Sequence, residues 1–369
     1  MFLRNLQINN FKNYEEAFLE LEPGINCFVG SNGSGKTNIL DAVHYLSMCK
    51  SFLHAVDRQN IRFDQSFFSI MGQFEKNENH FNIHAALKLG AKKVFKINKK
   101  EYDKLADHIG NFPSVVISPY DKDLISEGSE LRRKWMDAII SQSNRPYLLT
   151  VQRYTKVLEQ RNALLKNMNQ HGLFDRESIE VWDAQLIELG NQIHQTRLKF
   201  IEEFIPVFIK HYNQIGLEED QVNLQYKSAL NEGNFADLLR QNERKDYFSQ
   251  YTSVGTHRDD LVFTIHHHPI KKFGSQGQQK SFVIALRLAQ YEWLVQQLNV
   301  KPILLLDDIF DKLDQDRVQR LIDLVSTNFF GQVIVTDTDE ERIKAVLQAN
   351  QLKGKLFKVH KGTVNEIAQ

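Results

Sequence analysis

The chain has 369 residues, 42% of them hydrophobic and 25% charged, which allows a substantial folded core divided among two or three domains. Lys plus Arg and Asp plus Glu both number 46, so no global basic field draws in nucleic acid, and such a contact has to come from a local patch. Two cysteines, Cys27 and Cys49, are too few for a disulfide framework and lack metal-ligand spacing. A reducing cytoplasm is therefore expected, with no signal peptide, and no apolar run approaches the roughly 18 residues that span a bilayer.

Residues 2–29 predict short strands joined by turns, the last of them the buried run Ile25 to Val29. It feeds Gly30-Ser31-Asn32-Gly33-Ser34-Gly35-Lys36-Thr37, which matches G-x-x-x-x-G-K-[ST]. In this pattern glycines let backbone N–H groups turn inward on phosphate oxygens, the lysine reaches the β- and γ-phosphates and the hydroxyl ligates Mg²⁺. Ile39, Leu40, Val43 and Leu46 then recur at helical spacing, so the following helix offers its positive end to the same anion. Residues 66–98 predict strands, with a hairpin turn at Gly90, and Val115 to Ile117 another, stopped by Pro119. From about 129 to 212 the sequence is helical, with Pro146, Gly172 and Pro206 dividing it into antiparallel segments. Strand signals return at Val222, Leu224 and Tyr226 and at Leu261 to Ile265, followed by alternating helix and strand. His266-His267-His268 reads as a surface turn.

Two further motifs bear on chemistry. Gly274-Ser275-Gln276-Gly277-Gln278-Gln279 precedes an amphipathic helix carrying Phe282, Ile284, Leu286, Leu288, Tyr291 and Leu294. Ser275 can cap that helix, giving a second anion-binding helix start. One nucleotide does not need two such termini from one subunit, so a composite site shared by two copies is the economical reading, against an ordinary capped helix. Ile303-Leu304-Leu305-Leu306-Asp307-Asp308 is an apolar strand ending in acid, which places Asp307 where it can hold Mg²⁺ and Asp308 where it can orient the attacking water. Taken alone, the same string would read as a buried strand running into a solvated turn.

In this order the motifs resemble the head of an ABC-type ATPase, and within that class the chain resembles the RecF family over essentially its whole length. The resemblance rests on Asn26 to Leu40, Lys50-Ser51-Phe52, Val115-Val116-Ile117-Ser118-Pro119, Arg132-Arg133 and Gln160-Arg161-Asn162-Ala163-Leu164-Leu165. It continues through Thr256-His257-Arg258-Asp259-Asp260-Leu261, Gly274 to Gln279, Leu286-Arg287-Leu288-Ala289, Leu306-Asp307-Asp308 and Leu313-Asp314.

The resemblance implies an α/β P-loop NTPase of ABC-ATPase head type, a mixed sheet with flanking helices and an inserted helical lobe. The expected division is 1–117 and 251–369 for the ATPase lobe, with 118–250 inserted. ATP and Mg²⁺ are the implied cofactors, with residues 30–37 on the nucleotide, Thr37 and Asp307 on the metal, Asp308 as the hydrolytic carboxylate, and Ser275, Gln276, Gly277 and Gln278 acting in trans. RecF-like proteins bind and slowly hydrolyse ATP, dimerise on it to clamp DNA, and work with RecO and RecR to load RecA at single-stranded gaps and single-/double-strand junctions. The resemblance thus implies a weak, DNA-stimulated ATPase switch in DNA replication, recombination and SOS-linked repair, nucleoid-associated in the cytoplasm, with no membrane partner.

Four departures stand out. Asp308 replaces the Glu usual in ABC ATPases, and Thr336-Asp337-Thr338 stands where a switch histidine is usual. Thr256 replaces a usual Pro and Leu53 a usual Arg. SMC-type proteins share the head but need far more coiled coil between Thr37 and Ser275; even an 80-residue helical hairpin reaches only about 60 Å. A GTPase would need Asn-Lys-x-Asp, and Asn98-Lys99-Lys100-Glu101 lacks the Asp. An ATP-gated DNA scaffold with incidental turnover is the non-enzyme alternative. Candidate DNA contacts are Arg132, Arg133 and Lys134, and the hairpin lysines Lys92, Lys93, Lys96, Lys99 and Lys100. A solvated charged face is the competing reading of both groups.

Overall fold

A computed structural model describes residues 1–216, 219–309, 319–320, 323–324 and 329–367. The chain forms two compact units, Met1–Asp121 with Ile284–Gln369, and Lys122–Val283. Residues 251–283, expected with the ATPase lobe, therefore belong to the second unit, because the strand they contribute pairs there.

The first unit is built on two six-stranded sheets. The first sheet, antiparallel throughout, takes β1 (Phe2–Phe11), β2 (Tyr14–Glu20), β4 (Phe67–Lys76), β5 (Asn79–Lys88), β6 (Val94–Ile97) and β7 (Lys100–Glu101) in the order β2-β1-β4-β5-β6-β7. Leu3 and Leu6 are three apart yet both buried, because the register of β1 on β4 shifts between Leu3 and Asn5. The second sheet takes β3 (Ile25–Val29), β8 (Ser114–Ile117), β12 (Ile303–Asp307), β13 (Val333–Asp337), β14 (Gly354–His360) and β15 (Thr363–Ile367) in the order β15-β14-β3-β13-β12-β8. All pairs but β14 with β15 are parallel, and every residue of β3, β8, β12 and β13 is buried, as expected of a parallel sheet covered on both faces. Helix α1 (Lys36–Met48) buries Ile39, Leu40, Val43 and Leu46 in one apolar core with Leu6, Ile8 and Phe68 of the first sheet and Phe28, Leu305 and Ile334 of the second.

The second unit is mainly helical: α2 (Asp123–Ser126), α3 (Ser129–Ser143), α4 (Arg145–His171), α5 (Arg176–Ile215), α6 (Phe235–Ser249) and α7 (Ile270–Phe273). Pro146 sits in the first turn of α4, and Gly172 ends it in the left-handed conformation at φ 66°. Pro206 breaks nothing, contrary to the sequence reading. Helix α5 runs through it for 40 residues, held by the buried row Phe200, Phe204, Phe208 and Tyr212. Strands β9 (Val222–Lys227), β10 (Asp260–Ile265) and β11 (His268–Pro269) form an antiparallel sheet in the order β11-β10-β9. Helix α8 (Gln276–Leu298) begins in the second unit and continues into the first. Its middle is buried well beyond one stripe, with Phe282, Val283, Ile284, Ala285, Leu286, Leu288 and Ala289 all inside. Among the described residues no helix is long and apolar enough to cross a membrane.

Candidate nucleotide site

The phosphate loop lies between β3 and α1, at the carboxyl end of the parallel sheet. Gly30 (φ 159°) packs so closely on β14 that a Cβ there would run into the Val359 carbonyl oxygen. Gly35 (φ 118°) is the N-cap of α1, and a Cβ there would strike Asn13 and the Tyr14 hydroxyl. No side chain caps α1, and its first turn has no acidic residue, which suits a helix start that receives an anion. The β1–β2 turn grips the loop: Asn13 Nδ2 donates to Ser34 O at 2.9 Å, Tyr14 OH to Gly35 O at 3.1 Å and Asn38 Nδ2 to Asn13 Oδ1 at 2.7 Å. The β14–β15 turn adds Gly362 N to Ser34 O at 3.0 Å.

Lys36 arches back over the loop and donates to Gly30 O at 2.7 Å and Ser31 O at 3.1 Å. Burial pulls its pKa down, and the carboxylates of Asp308, Asp307 and Asp337 oppose that shift. Thr37 Oγ1 donates to Asp307 Oδ1 at 2.8 Å, joining residues 270 apart in the chain. Asp307 ends β12 and is 3% exposed. Burial raises its pKa, against the hydrogen bonds from Thr37 and Thr336.

Thr336, fully buried at the end of β13, escaped the sequence reading as anything but a departure from a histidine. Its hydroxyl donates to Asp307 Oδ1 at 2.9 Å and accepts from Asp308 N at 3.0 Å, so one side chain holds both aspartates. Asp308 N also reaches Thr336 O at 3.2 Å, which holds Asp308 in the left-handed region at φ 48°. Asp337 takes Asp339 N and Arg342 Nη2 on Oδ1, each at 2.7 Å, while its carbonyl accepts from Gly30 N at 3.2 Å. Asn13 and Tyr14 were also missed. The available signal was their position in a tight turn directly after β1, although their partners lie 21 residues on.

In the second unit, Ser275 and Gln278 form a reciprocal cap at the start of α8. Ser275 N donates to Gln278 Oε1 at 2.8 Å and Gln278 N to Ser275 Oγ at 3.2 Å. Ser275 and Gln276 are exposed, while Gly277 and Gln278 are half-buried. Leu313-Asp314 lies outside the described residues.

The basic candidates are placed unequally. Arg132 donates to both carboxylate oxygens of Asp260 at 2.8 and 3.1 Å, and to Leu124 O and Glu127 O. Arg133 donates to Ser129 Oγ and Asp259 O. Both guanidiniums are half-buried and tied to groups of the second unit, whereas Lys134 is exposed and paired with Glu130 on the surface. Lys93 binds Cys49 O and Asp57 Oδ2 at 2.6 Å each, whereas Lys92, Lys99 and Lys100 are exposed. His266 and His267 form the expected turn with positive φ, and among the described residues no metal-binding cluster forms.

Residues 2–364 match the family model for the RecF/RecN/SMC N terminal domain. The DNA replication and repair protein RecF of Flavobacterium johnsoniae is 49% identical over 357 residues, 97% of this chain and 99% of that protein. The protein of the same name from Phocaeicola vulgatus is 44% identical, with 99% and 98% covered. The structure of the recombination mediator protein RecF-ATP in the RecFOR pathway superposes with a TM-score of 0.90 at 27% identity, covering 100% and 98%. The Smc head domain from Pyrococcus furiosus, bound to the C-terminal domain of ScpA, reaches 0.56 at 16% identity, covering 100% and 96%, and supports the fold alone. The fold is that of an ABC-ATPase head, mixed α/β with flanking helices.

Proposed function

The chain belongs to the RecF family of DNA replication and repair proteins, and we propose that it is an ATP-driven clamp that closes on DNA as a homodimer and is reset by slow hydrolysis. The observation that carries this reading is the 2.8 Å bond from Thr37 to Asp307, which brings the phosphate loop and the acidic strand end into one site. The loop residues Gly30 to Thr37 cradle the phosphates, and Lys36 leaves the loop carbonyls for the β- and γ-phosphates. Thr37 Oγ1 and the Asp307 carboxylate are hard oxygen donors that would hold a Mg²⁺. When bound, the metal would neutralise charge that develops on the phosphates. Asp308 orients the attacking water and takes its proton as the γ-phosphoryl leaves ADP.

Ser275, Gln276, Gly277 and Gln278 form a capped helix start, exposed at Ser275 and Gln276, that closes over the γ-phosphate held by a second copy. The clamp is set to work at single-stranded gaps and single-/double-strand junctions, with RecO and RecR as partners and RecA loading as the outcome, in the bacterial cytoplasm. Lys134 and the exposed lysines of the β5–β6 and β6–β7 turns are the DNA contacts to test first.

The test is the oligomeric state with and without ATP-Mg²⁺, with gapped DNA present and absent. Lys36→Ala should abolish ATP binding and ATP-dependent dimerisation. Ser275→Arg should retain ATP binding and lose dimerisation. A dimer that forms equally well in Lys36→Ala, or an ATP affinity that collapses in Ser275→Arg, would sink the composite site.

A further inference from the structure

Asp220 lies between α5 and β9 and is buried, yet it touches the start of α8. Its Oδ1 accepts from Gln278 Nε2 at 2.8 Å, and its Oδ2 accepts from Tyr212 OH at 2.7 Å. His266 Nε2 stands 3.5 Å from the same Oδ1, on the turn after β10. The carbonyl end of the Gln278 amide meanwhile accepts from Ser275 N at 2.8 Å.

A side-chain amide has one donor end and one acceptor end. With the carbonyl on Ser275 N–H, the NH₂ has to meet an acceptor, and the carboxylate of Asp220 is one. Turned by half a revolution, Gln278 would set NH₂ against N–H and carbonyl against carboxylate, a double mismatch. Asp220 therefore fixes which way the Gln278 amide faces, and through it holds the Ser275 backbone in the capped geometry. Tyr212 fixes Asp220 in turn, from the last turn of α5.

We infer that Asp220 is a positioning residue for the Ser275–Gln278 helix start, so that closure of one subunit on the nucleotide of another depends on a carboxylate that touches no nucleotide. This inference rests on the composite-site reading above.

Three variants test it, read out as the dimer dissociation constant in a slowly hydrolysed ATP analogue with Mg²⁺, beside the ATP affinity of the isolated subunit. Asp220→Leu should weaken dimerisation about tenfold, the scale of one hydrogen bond to a charged group, and leave subunit ATP affinity unchanged. Asp220→Asn should stay near wild type, because its Oδ1 still accepts from Gln278 and its NH₂ can donate to the Tyr212 hydroxyl. In a Gln278→Leu background Asp220→Leu should add nothing, since its effect runs through Gln278. If Asp220→Leu does not fold, Asp220→Ser, too short to reach Gln278, takes its place. Wild-type dimerisation by folded Asp220→Leu, equal loss in Asp220→Asn, or losses that multiply in the double variant would each overturn the inference. Ser275→Arg in the same assay separates the two claims. Failure of Asp220→Leu to weaken a dimer that Ser275→Arg abolishes removes only this inference, whereas a Ser275→Arg protein that dimerises normally removes the composite site itself.

Discussion

In the first unit, α1 packs apolar side chains into the core and is also tied by its buried Asp41 to Lys12, and a group of buried polar side chains, Lys36, Asp307, Thr336 and Asp337 among them, gathers at the candidate nucleotide site. In the second unit, charge is buried within the scaffold. Arg161, fully buried on α4, donates to Asp183 Oδ1 at 2.5 Å on α5, to Asp246 Oδ2 at 2.8 Å on α6 and to Thr252 Oγ1 at 2.9 Å. Arg197 on α5 does the same for α3 and the segment before β10, donating to Asp137 at 3.0 and 3.1 Å, Asp259 Oδ2 at 2.8 Å and Thr256 O at 2.8 Å. Polar burial in the second unit ties helices together, whereas in the first it is divided between the candidate nucleotide site and structural pairs such as Lys12 with Asp41. The difference matters because an apolar contact tolerates any side chain of similar volume, whereas a guanidinium fork demands partners at fixed angles.

The largest expected effect follows from that contrast. Arg161→Met keeps the volume but leaves Asp183 and Asp246 without their cation, and should destabilise by about 3–5 kcal/mol. Leu40→Met, equally buried in the first unit, should cost less than about 1.5 kcal/mol. Denaturant unfolding of the two variants compares them directly. Similar losses would mean that the second unit is held by packing after all, with its ion pairs incidental.

A second test uses protons. His108 in the first unit is buried, His44 in the first and His257 in the second are half-buried, and desolvation pushes each pKa down to about 4. His108 stays neutral between Leu46 O at 2.6 Å and Tyr102 OH at 3.2 Å, and His257 between Thr252 O and Tyr154 OH, both at 2.9 Å. The unfolded chain binds these protons near pH 6.5 and the folded chain only near pH 4, so stability is lost as pH falls through that window and is unaffected above it. Each histidine contributes a slope of up to about 1.4 kcal/mol per pH unit. His257→Gln should flatten the decline in stability between pH 6.5 and 5 by one such increment. An unchanged slope would show that His257 is already charged in the folded state.

The same contrast explains what could be read from the sequence. The phosphate loop, the Ser275 cap and the acidic strand end were legible because each is a local pattern, in which backbone geometry demands particular residue types at fixed spacing. The strands of the parallel sheet were legible as unbroken apolar runs. Long-range pairing was not. Nothing near residues 251–283 announces that β10 will pair with β9, and nothing near Arg132 announces Asp260, 128 residues later. Arg132 and Arg133 read as a basic patch because a charge run shows its cations and hides its partners. Pro206 read as a break because its cost is local, while the packing of Phe204, Phe208 and Tyr212 that overrides it is tertiary.

Thr336 is where the two kinds of buried polar group can be told apart most finely. It bridges Asp307 and Asp308 at the candidate nucleotide site, so its hydroxyl should matter to chemistry more than to folding. Thr336→Val preserves shape and β-branching but removes the donor to Asp307 and the acceptor for Asp308 N. Asp307 retains Thr37 as a partner, and Asp308 N retains the Thr336 carbonyl, so neither group is stranded and the melting temperature should hold within a few degrees. What is lost is the fixed relation between the Asp307 and Asp308 carboxylates, to which the proposed function gives the metal and the attacking water. Turnover of ATP-Mg²⁺ should fall about tenfold with nucleotide affinity little changed, and Thr336→Ser should restore it. A loss of stability without a change in turnover would place Thr336 with the scaffold residues of the second unit and blur the distinction between the two. An equal fall in affinity and turnover would instead mean that it acts on the bound nucleotide as a whole rather than on the two aspartates.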